Sequence, residues 1–391
     1  MRVGYVVGRF PALSETFVIN QMAGLLQRNF EVGVVCNGIA PEAHIDTSVE
    51  PLSTLMAGTR DWWGPAAGLR SRIATLPSGP RDKASTLLDL LSVRRLNSFD
   101  VIVAHFGQNG ARVARLKKRG LITPPIITVF HGYDVGVPLH ETRLGEYRDL
   151  FKFGSLNLPV NDYFRRLLVE AGASDRKVSV HRMGIDITQI PFTPQSRREL
   201  PLRLISVSRL VEKKGVEFAL RALSSIKKSK PEFDWKYTIV GDGPNREQLQ
   251  QIAAEGDITD RIAFTGSLPH ATVKEELRRS HVFVLPSVTA GNGDVEGIPV
   301  ALMEAMAAGL TVVSTHHSGI PELIADRKTG FLAPEKDVAA LADSILWIAT
   351  HPEQCEQFAQ DARLKVEQEY NAETLNDRFA TIVSDVAKAG K

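Results

Sequence analysis

The chain has 391 residues, of which 43% are hydrophobic and 24% are charged, and its formal net charge is +2. This balance excludes a fibrous or disordered chain, predicts two domains, and gives no bulk charge that would favour nucleic acid as a partner. No run approaches the ~20 apolar residues of a membrane-spanning helix. Cys36 and Cys355 stand far apart without a CxxC pattern, so we expect a reducing cytoplasm and neither a disulfide framework nor a zinc site.

Short apolar runs alternate with longer amphipathic patterns along the whole chain. Continuous Val- and Ile-rich runs are typical of strands buried on both faces, and hence of parallel sheets covered by helices. In the first half the predicted strands are 3–7, 32–35, 101–104, 126–129, 156–160 and 178–181, and the predicted helices are 15–28, 108–119 and 163–171. In the second half the predicted strands are 202–207, 237–240, 262–264, 282–285, 311–313 and 331–333, and the predicted helices are 215–228, 246–255, 272–279, 300–308 and 337–350.

Two such series predict an α/β fold of two Rossmann-like, doubly wound domains that face each other across a cleft. The polar segment 192–201, with a proline near each end, is the best boundary. We therefore predict domains over 1–195 and 196–370, followed by a C-terminal helix over 371–391 that returns to the first domain. Ligands of open parallel sheets bind beyond the carboxyl ends of the strands, so chemically unusual residues should stand directly after strands.

Two segments of the first half meet this expectation. Gly8 follows the first predicted strand, where a glycine permits close approach of a ligand, and Ser14 is a suitable N-cap for the next helix. Taken alone, this segment is better explained as a capped turn, and it lacks the GxGxxG pattern of a dinucleotide loop. His131 and Gly132 follow a later strand, where the imidazole can donate to a ligand hydroxyl. The alternative is a structural histidine, and His105 is left structural or on the acceptor side.

A basic loop follows the first strand of the second half. Arg209 and Lys214 can converge on one dianionic group, to which the helix N-terminus after Gly215 adds partial positive charge. This pattern predicts a diphosphate site without a metal, and the alternative is a solvated basic loop. Gly241 and Gly243 follow the next strand in a tight turn whose backbone could line a base or a phosphate. That second signal is weak by itself.

The most informative segment runs from Glu296 to Gly309. Glu296 follows a glycine-rich loop, and Pro299 suits the first turn of a helix. Glu304 lies about one and a half turns inside that helix, among Ala, Leu and Met. A carboxylate in this setting needs strong donors, and the paired hydroxyls of a ribose supply them. Glu296 is suited to hydroxyls of a transferred group, while nearby backbone amides meet a phosphate. The alternative is two unrelated surface glutamates.

Taken in order, these residues resemble the retaining, glycogen-synthase-like glycosyltransferases of GT-B fold, family 4. The likeness rests on Glu296-x7-Glu304, Arg209…Lys213-Lys214-Gly215, His131-Gly132, Gly241-Asp242-Gly243-Pro244, Phe264-Thr265-Gly266 and Ser318-Gly319-Ile320-Pro321-Glu322. The first loop departs from the family's frequent Gly-Gly pair, because Gly8 is followed by Arg9. Its Phe-Pro-x-Leu-Ser-Glu-Thr-Phe stretch resembles the branch that builds bacterial exopolysaccharides of the colanic-acid type.

The resemblance implies transfer of a hexose, glucose or galactose, from a UDP-sugar to a hydroxyl of a growing exopolysaccharide or lipid-linked oligosaccharide. It implies retention by front-face departure, with no metal and no cofactor, in which the leaving diphosphate takes the acceptor's proton. The first domain would bind the acceptor and the second the nucleotide sugar. The expected catalytic residues are His131, Arg209, Lys214 and Glu296. The expected donor-binding residues are Gly8, Arg209, Lys214, Gly241, Gly243, Glu296, Gly297, Ile298, Pro299 and Glu304.

Two other functions stay open. A nucleotide-sugar epimerase of the same two-domain shape would also hold a diphosphate with basic residues, although the Glu-x7-Glu helix argues against it. A non-catalytic nucleotide-sugar sensor would have a degenerate site, whereas the four residues Arg209, Lys214, Glu296 and Glu304 are all present.

A basic cluster lies on a predicted helix of the first half. Its members are Arg112, Arg115, Lys117, Lys118 and Arg119. The simpler explanation is a solvated helix face. The alternative is a peripheral contact with anionic lipid headgroups at the inner face of the cytoplasmic membrane, aided by the Trp62-Trp63 pair.

Overall fold

The computed structural model describes residues 1–12, 15–39, 50–194 and 200–390. The chain forms two compact units. Unit 1 comprises Met1–Val160, Phe164–His181 and Glu373–Lys391, and unit 2 comprises Asn161–Tyr163 and Arg182–Ala372.

Unit 1 is built on a parallel sheet. Its strands among the described residues are β1 (Arg2–Phe10), β2 (Glu31–Ile39), β3 (Thr59–Asp61), β4 (Val101–His105), β5 (Ile126–Phe130) and β6 (Leu156–Pro159). They lie in the order β3-β2-β1-β4-β5-β6, and every neighbouring pair is parallel. Val3 pairs with Val32 on one side and with Val101 on the other, which fixes β1 in the middle of the sheet.

Helices connect these strands. They are α1 (Thr16–Gln27), α2 (Leu52–Gly58), α3 (Arg70–Ala74), α4 (Ser78–Leu96), α5 (Gly107–Lys118), α6 (Tyr133–Thr142), α7 (Arg148–Phe153) and α8 (Asp162–Glu170). These helical connections explain why the sheet is parallel, since parallel strands need long connections and have both faces covered.

Unit 2 repeats the same design. Its strands are β7 (Leu202–Val207), β8 (Trp235–Val240), β9 (Ile262–Gly266), β10 (Val282–Val284), β11 (Thr311–Thr315) and β12 (Phe331–Ala333). The order is β12-β11-β10-β7-β8-β9, all parallel. Read from the other edge, this is the order of unit 1. The helices are α9 (Val216–Ser229), α10 (Arg246–Glu255), α11 (His270–Arg279), α12 (Val300–Ala308), α13 (Ile320–Leu323), α14 (Val338–Thr350) and α15 (Pro352–Glu369). The helix that follows, α16 (Ala372–Ala389), belongs to unit 1 from Glu373 onward.

Both faces of the unit 2 sheet are packed. Leu204 belongs to one core cluster with Leu220 and Trp235, whereas the next residue, Ile205, belongs to a second cluster with Leu302. Successive strand residues point to opposite faces, so a two-sided core requires the continuous apolar runs seen in the sequence. The predicted α/β fold of two Rossmann-like, doubly wound units is confirmed.

Several local predictions in unit 1 are wrong. Residues 178–181 are not a strand of the sheet. Val178 makes an isolated bridge with Asn157, and Ser179 N–H and His181 N–H donate to carbonyl oxygens of β6 at 3.1 and 3.0 Å, but the pairing does not extend into a ladder. The short strand β3 has no apolar run to reveal it. Strand β1 continues past residue 7, since Phe10 still pairs with Ile39; the glycine at position 8 is therefore inside the strand. The predicted N-cap Ser14 lies outside the described residues.

The division of the chain differs from the predicted one near residue 195. The predicted boundary lies outside the described residues, but positions 182–194 belong to unit 2 and not to the first domain. Ile185 N–H donates to Tyr370 O at 2.9 Å, and Thr193 N–H donates to Ala308 O at 3.0 Å. The segment from Glu373 onward groups with unit 1. Among the described residues, none of the helices has both the length and the apolar character needed to cross a bilayer.

Candidate functional site

The loop that carries Arg209 is fixed by the turn after β8. Ser208 N–H donates to Val240 O at 3.0 Å, and Leu210 N–H donates to Asp242 O at 2.8 Å. Gly241 has φ +129°, and a Cβ on it would collide with the carbonyl oxygen of Ser208. This glycine therefore lets the turn pack against the Arg209 loop.

Gly243, in the same turn, has φ +158° and would bring a Cβ into collision with Leu210 O. The two turn glycines thus determine where Arg209 stands. Their contact with a base or a phosphate stays a prediction. Arg209 itself is exposed, and within the described ranges no ion pair involves its guanidinium, so the group is available to an anion.

Lys214 is brought to Glu296 by the short helical turn Glu212–Lys214. The Lys214 Nζ lies 2.7 Å from Glu296 Oε1, and the two side chains are only 15% and 8% exposed. Gly215 follows with φ +64° and is the N-cap residue of α9. The pair joins the ends of two strands, because Lys214 follows β7 and Glu296 follows β10.

The Glu296 carboxylate is buried and ionised. Burial raises its pKa, but the charges of Lys214 and Lys213 and the hydrogen bond from Lys214 outweigh burial and lower the pKa overall. Lys213 also donates to Asp294 Oδ1 at 3.0 Å and to Val295 O at 3.4 Å. The two adjacent lysines therefore hold the loop before α12, a role that the sequence did not reveal for Lys213 and Asp294.

His317 fixes the backbone at Glu296. Its Nε2 accepts from Glu296 N–H at 3.0 Å, and its Nδ1 lies 2.6 Å from Glu335 Oε1. An imidazole that accepts at Nε2 carries its proton on Nδ1, so His317 donates to Glu335. Burial raises the pKa of Glu335, but the hydrogen bonds from His317 and Thr289 lower it overall. Sequence reasoning missed both residues, although His317 directly precedes the Ser-Gly-Ile-Pro-Glu segment.

The peptide that follows Glu296 is also held. Ser318 Oγ donates to Glu296 O at 2.6 Å, and Asn161 Nδ2 donates to Gly297 O at 3.2 Å. Ile298 is buried in the core. Pro299 is the N-cap residue of α12, and the helix begins at Val300, as the sequence predicted. The loop is therefore set before any ligand arrives, and its N–H groups lie at a helix N-terminus.

Glu304 stands in a different environment from Glu296. It borders a cavity of about 220 Å³ that is also lined by Ile190, His270 and Lys274. The nearest paired atom is His270 Nε2 at 3.8 Å from Glu304 Oε1, too far for a hydrogen bond. Burial raises the pKa of Glu304 to about 7, against an opposing effect of Lys274. Within the described part of the chain, this carboxyl group thus has no ion-pair partner as close as Lys214 is to Glu296.

Glu304→Gln is expected to raise the free energy of unfolding at pH 8 by about 3 kcal/mol. The folded-state pKa of about 7 exceeds the ordinary value of 4.5, so the folded state favours the protonated carboxyl. Stability is therefore lost as the pH rises from the unfolded to the folded pKa, and a neutral amide avoids this loss. Urea unfolding of both proteins between pH 4.5 and pH 8 measures the difference.

The matched control is Glu275→Gln on the neighbouring helix α11. The hydrogen bond from Arg278 lowers the pKa of Glu275, so the substitution should have the opposite sign at pH 8. Parallel pH profiles for the native protein and Glu304→Gln would contradict the assignment of a raised pKa to Glu304.

His131 lies in unit 1, directly after β5. Its backbone N–H and that of Gly132 donate to Asp134 Oδ1 at 2.9 and 3.0 Å, and Gly107 N–H donates to Asp134 Oδ2 at 2.8 Å. One buried carboxylate therefore holds the starts of both α5 and α6. Burial lowers the pKa of His131 to about 3, so its ring is neutral. His105 is fully buried and contacts the His131 ring directly, which makes it a structural partner.

Gly8, predicted to permit close approach of a ligand, lies inside strand β1. Among the described residues, no atom lies within 4 Å of a Cβ built on Gly8. Open space beside a backbone is what a ligand needs for close approach, and the contact itself stays a prediction. Among the described residues no group of three His, Cys, Asp or Glu side chains is arranged as a metal site.

The basic helix α5 is tied to the protein interior. The Arg112 guanidinium lies 4.2 Å from the Trp62 ring centroid and pairs with Asp89. Trp62 and Trp63 are buried and donate to Asp89 Oδ1 at 2.8 and 3.0 Å. Lys118 pairs with an aspartate of α7. The structure favours the solvated-face explanation, and the two tryptophans are core residues that cannot anchor a membrane.

Comparisons with known proteins agree with this geometry. The model for Glycosyltransferase Family 4 matches residues 14–189, and the model for Glycosyl transferases group 1 matches residues 192–365. The chain is 35% identical to the putative colanic acid biosynthesis glycosyltransferase WcaL of Escherichia coli (strain K12), over 98% of this chain and 99% of that protein. It is 34% identical to the amylovoran biosynthesis glycosyltransferase AmsK of Erwinia amylovora, over 99% and 100%.

Solved structures share the whole fold. Anabaena Alr3699/HepE in complex with UDP has a TM-score of 0.75 and 19% identity, covering 98% of this chain and 100% of its own. Sucrose-phosphate synthase from Thermosynechococcus elongatus has a TM-score of 0.78 and 16% identity, covering 100% of both chains. Together with the two relatives of similar length, these matches show that the chain belongs to the GT-B glycosyltransferases, in the exopolysaccharide branch that contains the colanic acid and amylovoran enzymes.

Proposed function

We propose that this glycosyltransferase moves a hexose, glucose or galactose, from a UDP-sugar to a hydroxyl of a growing exopolysaccharide or lipid-linked oligosaccharide. The reaction retains the anomeric configuration and uses no metal. The observation that carries the proposal is the buried Lys214–Glu296 pair at the carboxyl end of the unit 2 sheet. Structures of Alr3699/HepE with UDP and glucose and with UDP-glucose support a UDP-hexose donor.

The two glutamates take separate roles in this proposal. Glu304 accepts from the ribose hydroxyls, which donate to a carboxyl group that has His270 only at 3.8 Å among the described residues. Glu296 accepts from hydroxyls of the hexose while it keeps Lys214 in place. Arg209 and Lys214 stabilise the diphosphate as it leaves, and these two cations take the place that a metal would have.

The transfer needs no protein nucleophile. The bond between the anomeric carbon and the diphosphate oxygen breaks, and the acceptor oxygen bonds to the same face of the sugar. The acceptor's proton passes to the leaving diphosphate. The protein contributes position and charge.

Arg209→Ala is expected to reduce kcat by about 10²–10³-fold with a small change in KM, because it removes a charge-assisted contact to the leaving group. Transfer from UDP-glucose, UDP-galactose and GDP-mannose to a lipid-linked saccharide is measured side by side. GDP-mannose is included because a mannosyltransferase of Mycolicibacterium smegmatis that depends on it is 27% identical over 66% of this chain. The control is Arg221→Ala, another exposed arginine of unit 2, which should keep full activity.

Thermal unfolding with each nucleotide sugar gives an independent reading. A donor at 100 times its Kd should stabilise the protein by about 2.7 kcal/mol. Stabilisation by GDP-mannose alone would refute the UDP donor. Release of a free epimer without acceptor would support the epimerase, and donor binding without turnover on any acceptor would support the sensor.

A lipid-linked acceptor would lie at a membrane, so the proposal includes a peripheral contact between the protein and anionic lipid. This contact is made at a site other than α5. We define the leucine surface as the exposed leucines of α4 and of the segment before it. Its members are Leu69, Leu76, Leu87, Leu90 and Leu91. The last three lie on one side of α4, and helix α3 packs against α4.

The charges around the leucine surface fit anionic headgroups. Arg72 and Arg94 are exposed beside it. Asp89, in the same helix, is buried and neutralised by Arg112. Exposed leucines flanked by arginines are typical of helices that lie in the membrane interface.

Leu87→Ser with Leu91→Ser is expected to weaken binding to phosphatidylglycerol vesicles by about tenfold or more, because each leucine loses apolar area that the bilayer would bury. Co-sedimentation measures the binding. The control is Leu364→Ser, a leucine of α15 that is 51% exposed, against 54% for Leu91. Equal vesicle binding by both variants would contradict this placement.

A further inference from the structure

A chain of hydrogen bonds runs from the His131 ring into the core of unit 1. His131 Nε2 lies 2.9 Å from His105 Nδ1, and His105 Nε2 lies 3.0 Å from Gln21 Oε1. The Tyr5 hydroxyl donates to the same Gln21 oxygen at 3.3 Å. Tyr5 and His105 are fully buried, and Gln21 is 4% exposed. The glycosyltransferase reaction as described above makes no use of Tyr5, Gln21 or His105.

The buried Tyr5 determines which group donates and which accepts along this series of hydrogen bonds. The phenolic proton of Tyr5 needs an acceptor, because a buried donor without one costs about 1–3 kcal/mol. Gln21 meets this need only with its oxygen toward Tyr5. If its amide nitrogen stood there, Tyr5 and His105 would both have to accept, and the described contacts would leave the phenolic proton unsatisfied.

The orientation of Gln21 then determines the donor and acceptor nitrogens of both histidine rings. With Gln21 Oε1 as acceptor, His105 carries its proton on Nε2. Burial lowers the pKa of His105 well below its usual range and that of His131 to about 3, so each ring is neutral and has one N–H. His105 Nδ1 is therefore an acceptor, and His131 must donate to it from Nε2.

We propose that Tyr5, Gln21 and His105 are positioning residues that fix His131 in its Nε2–H tautomer and leave the Nδ1 lone pair to accept from a substrate hydroxyl. This reverses the direction expected from sequence, in which the imidazole donates. His131 is partly exposed, and its ring contacts those of Phe17 and Phe106, with centroid distances of 4.8 and 4.7 Å. The ring plane is thereby held, and so is the direction of the lone pair.

The tautomer is observable in the free protein by ¹⁵N NMR of histidine-labelled, full-length chain, with His131→Gln used to assign the signal. We expect an unprotonated Nδ1 and a protonated Nε2 for His131 throughout pH 6–8. In Gln21→Leu, the acceptor for His105 is lost, and a second, Nδ1-protonated form should appear at His131. Tyr5→Phe, which removes less volume, should produce the same second form.

The matched control is Tyr237→Phe, which removes the hydroxyl of another fully buried tyrosine, one that contacts Ser206 in unit 2. It should leave the His131 signal unchanged. A protonated Nδ1 at His131 in the native protein overturns the proposal. So does an unchanged His131 signal in both Tyr5→Phe and Gln21→Leu, and Tyr5→Phe decides alone where Gln21→Leu does not fold.

A second assay rests on the proposed UDP-hexose transfer. Monodeoxyfluoro UDP-glucose and UDP-galactose carry a fluorine that cannot donate. When the fluorine replaces the one hydroxyl that faces His131, kcat/KM should be about 3–10-fold lower than with the parent UDP-sugar. This loss should be smaller in Gln21→Leu, where His131 is able to donate to the fluorine. A loss of equal size in Gln21→Leu and the native protein counts against the relay. The expected tautomers without turnover of any donor count against the proposed function alone.

Discussion

Lys214→Met is expected to reduce the transfer rate by about 10²–10³-fold and the free energy of unfolding by about 3–5 kcal/mol. The Nζ lies 2.7 Å from Glu296 Oε1, and both side chains are largely buried. Without the lysine, an ionised carboxylate stays in the interior with less compensation, and the leaving diphosphate loses a charge that stabilises it. Steady-state kinetics and denaturant unfolding measure the two effects.

Two further variants separate charge balance from chemistry. Lys214→Met with Glu296→Gln removes the uncompensated charge, so it should regain most of the stability and none of the activity. Lys213→Met breaks the neighbouring pair with Asp294, so it should cost comparable stability but less rate. Full stability of Lys214→Met, or activity in the double variant, would contradict the importance assigned to this pair.

Gly215→Ala is expected to lower the free energy of unfolding by more than about 3 kcal/mol, through backbone strain and overpacking together. Gly215 has φ +64°, and its added Cβ would collide with the carbonyl oxygen of Pro286. The backbone at the start of α9 would have to shift and would carry Lys214 with it. Activity should therefore fall as well, and chemical denaturation with a transfer assay checks both outcomes.

Gly120→Ala isolates the strain from the collision. Gly120 has φ +69°, almost the same as Gly215, but no atom of a described residue lies within 4 Å of its added Cβ. The expected cost is about 1–2 kcal/mol, the usual cost of a left-handed conformation. Equal losses in the two variants would show that the contact with Pro286 has no energetic weight.

The sequence predicts the sheet of unit 2 well and the first part of unit 1 less well, for a physical reason. Strands of a parallel sheet are continuous apolar runs, so β7 and β12 are visible with their full bounds. The middle of helix α4 has the inverse of the usual pattern, since it buries Asp89 and Ser92 and exposes Leu87 and Leu91. Periodicity arguments assume that apolar residues face the core, and they fail on such a helix.

The site shows a similar limit. The positions of Arg209, Lys214 and Glu296 after strands follow from the chain, because strand ends of a parallel sheet share one edge. The sequence does not predict which charged side chains pair with each other. Lys214 and Glu296 belong to different loops, and only folding shows that they form a pair while Glu304 faces a cavity. The different pKa directions of the two glutamates arise from that tertiary environment.

The last helix has a consequence for the order in which the protein is made. Unit 1 includes the segment Glu373–Lys391, where Arg28, the residue that directly follows α1, pairs with Glu373 and Asp377 at 2.6 and 2.8 Å. Phe379 packs against His181 from the same unit. A ribosome translates α16 only after it has translated unit 2, which ends at Ala372. Unit 1, which is begun first, therefore completes its contacts last. During synthesis, the surface of unit 1 that contacts α16 stays uncovered until α16 is made.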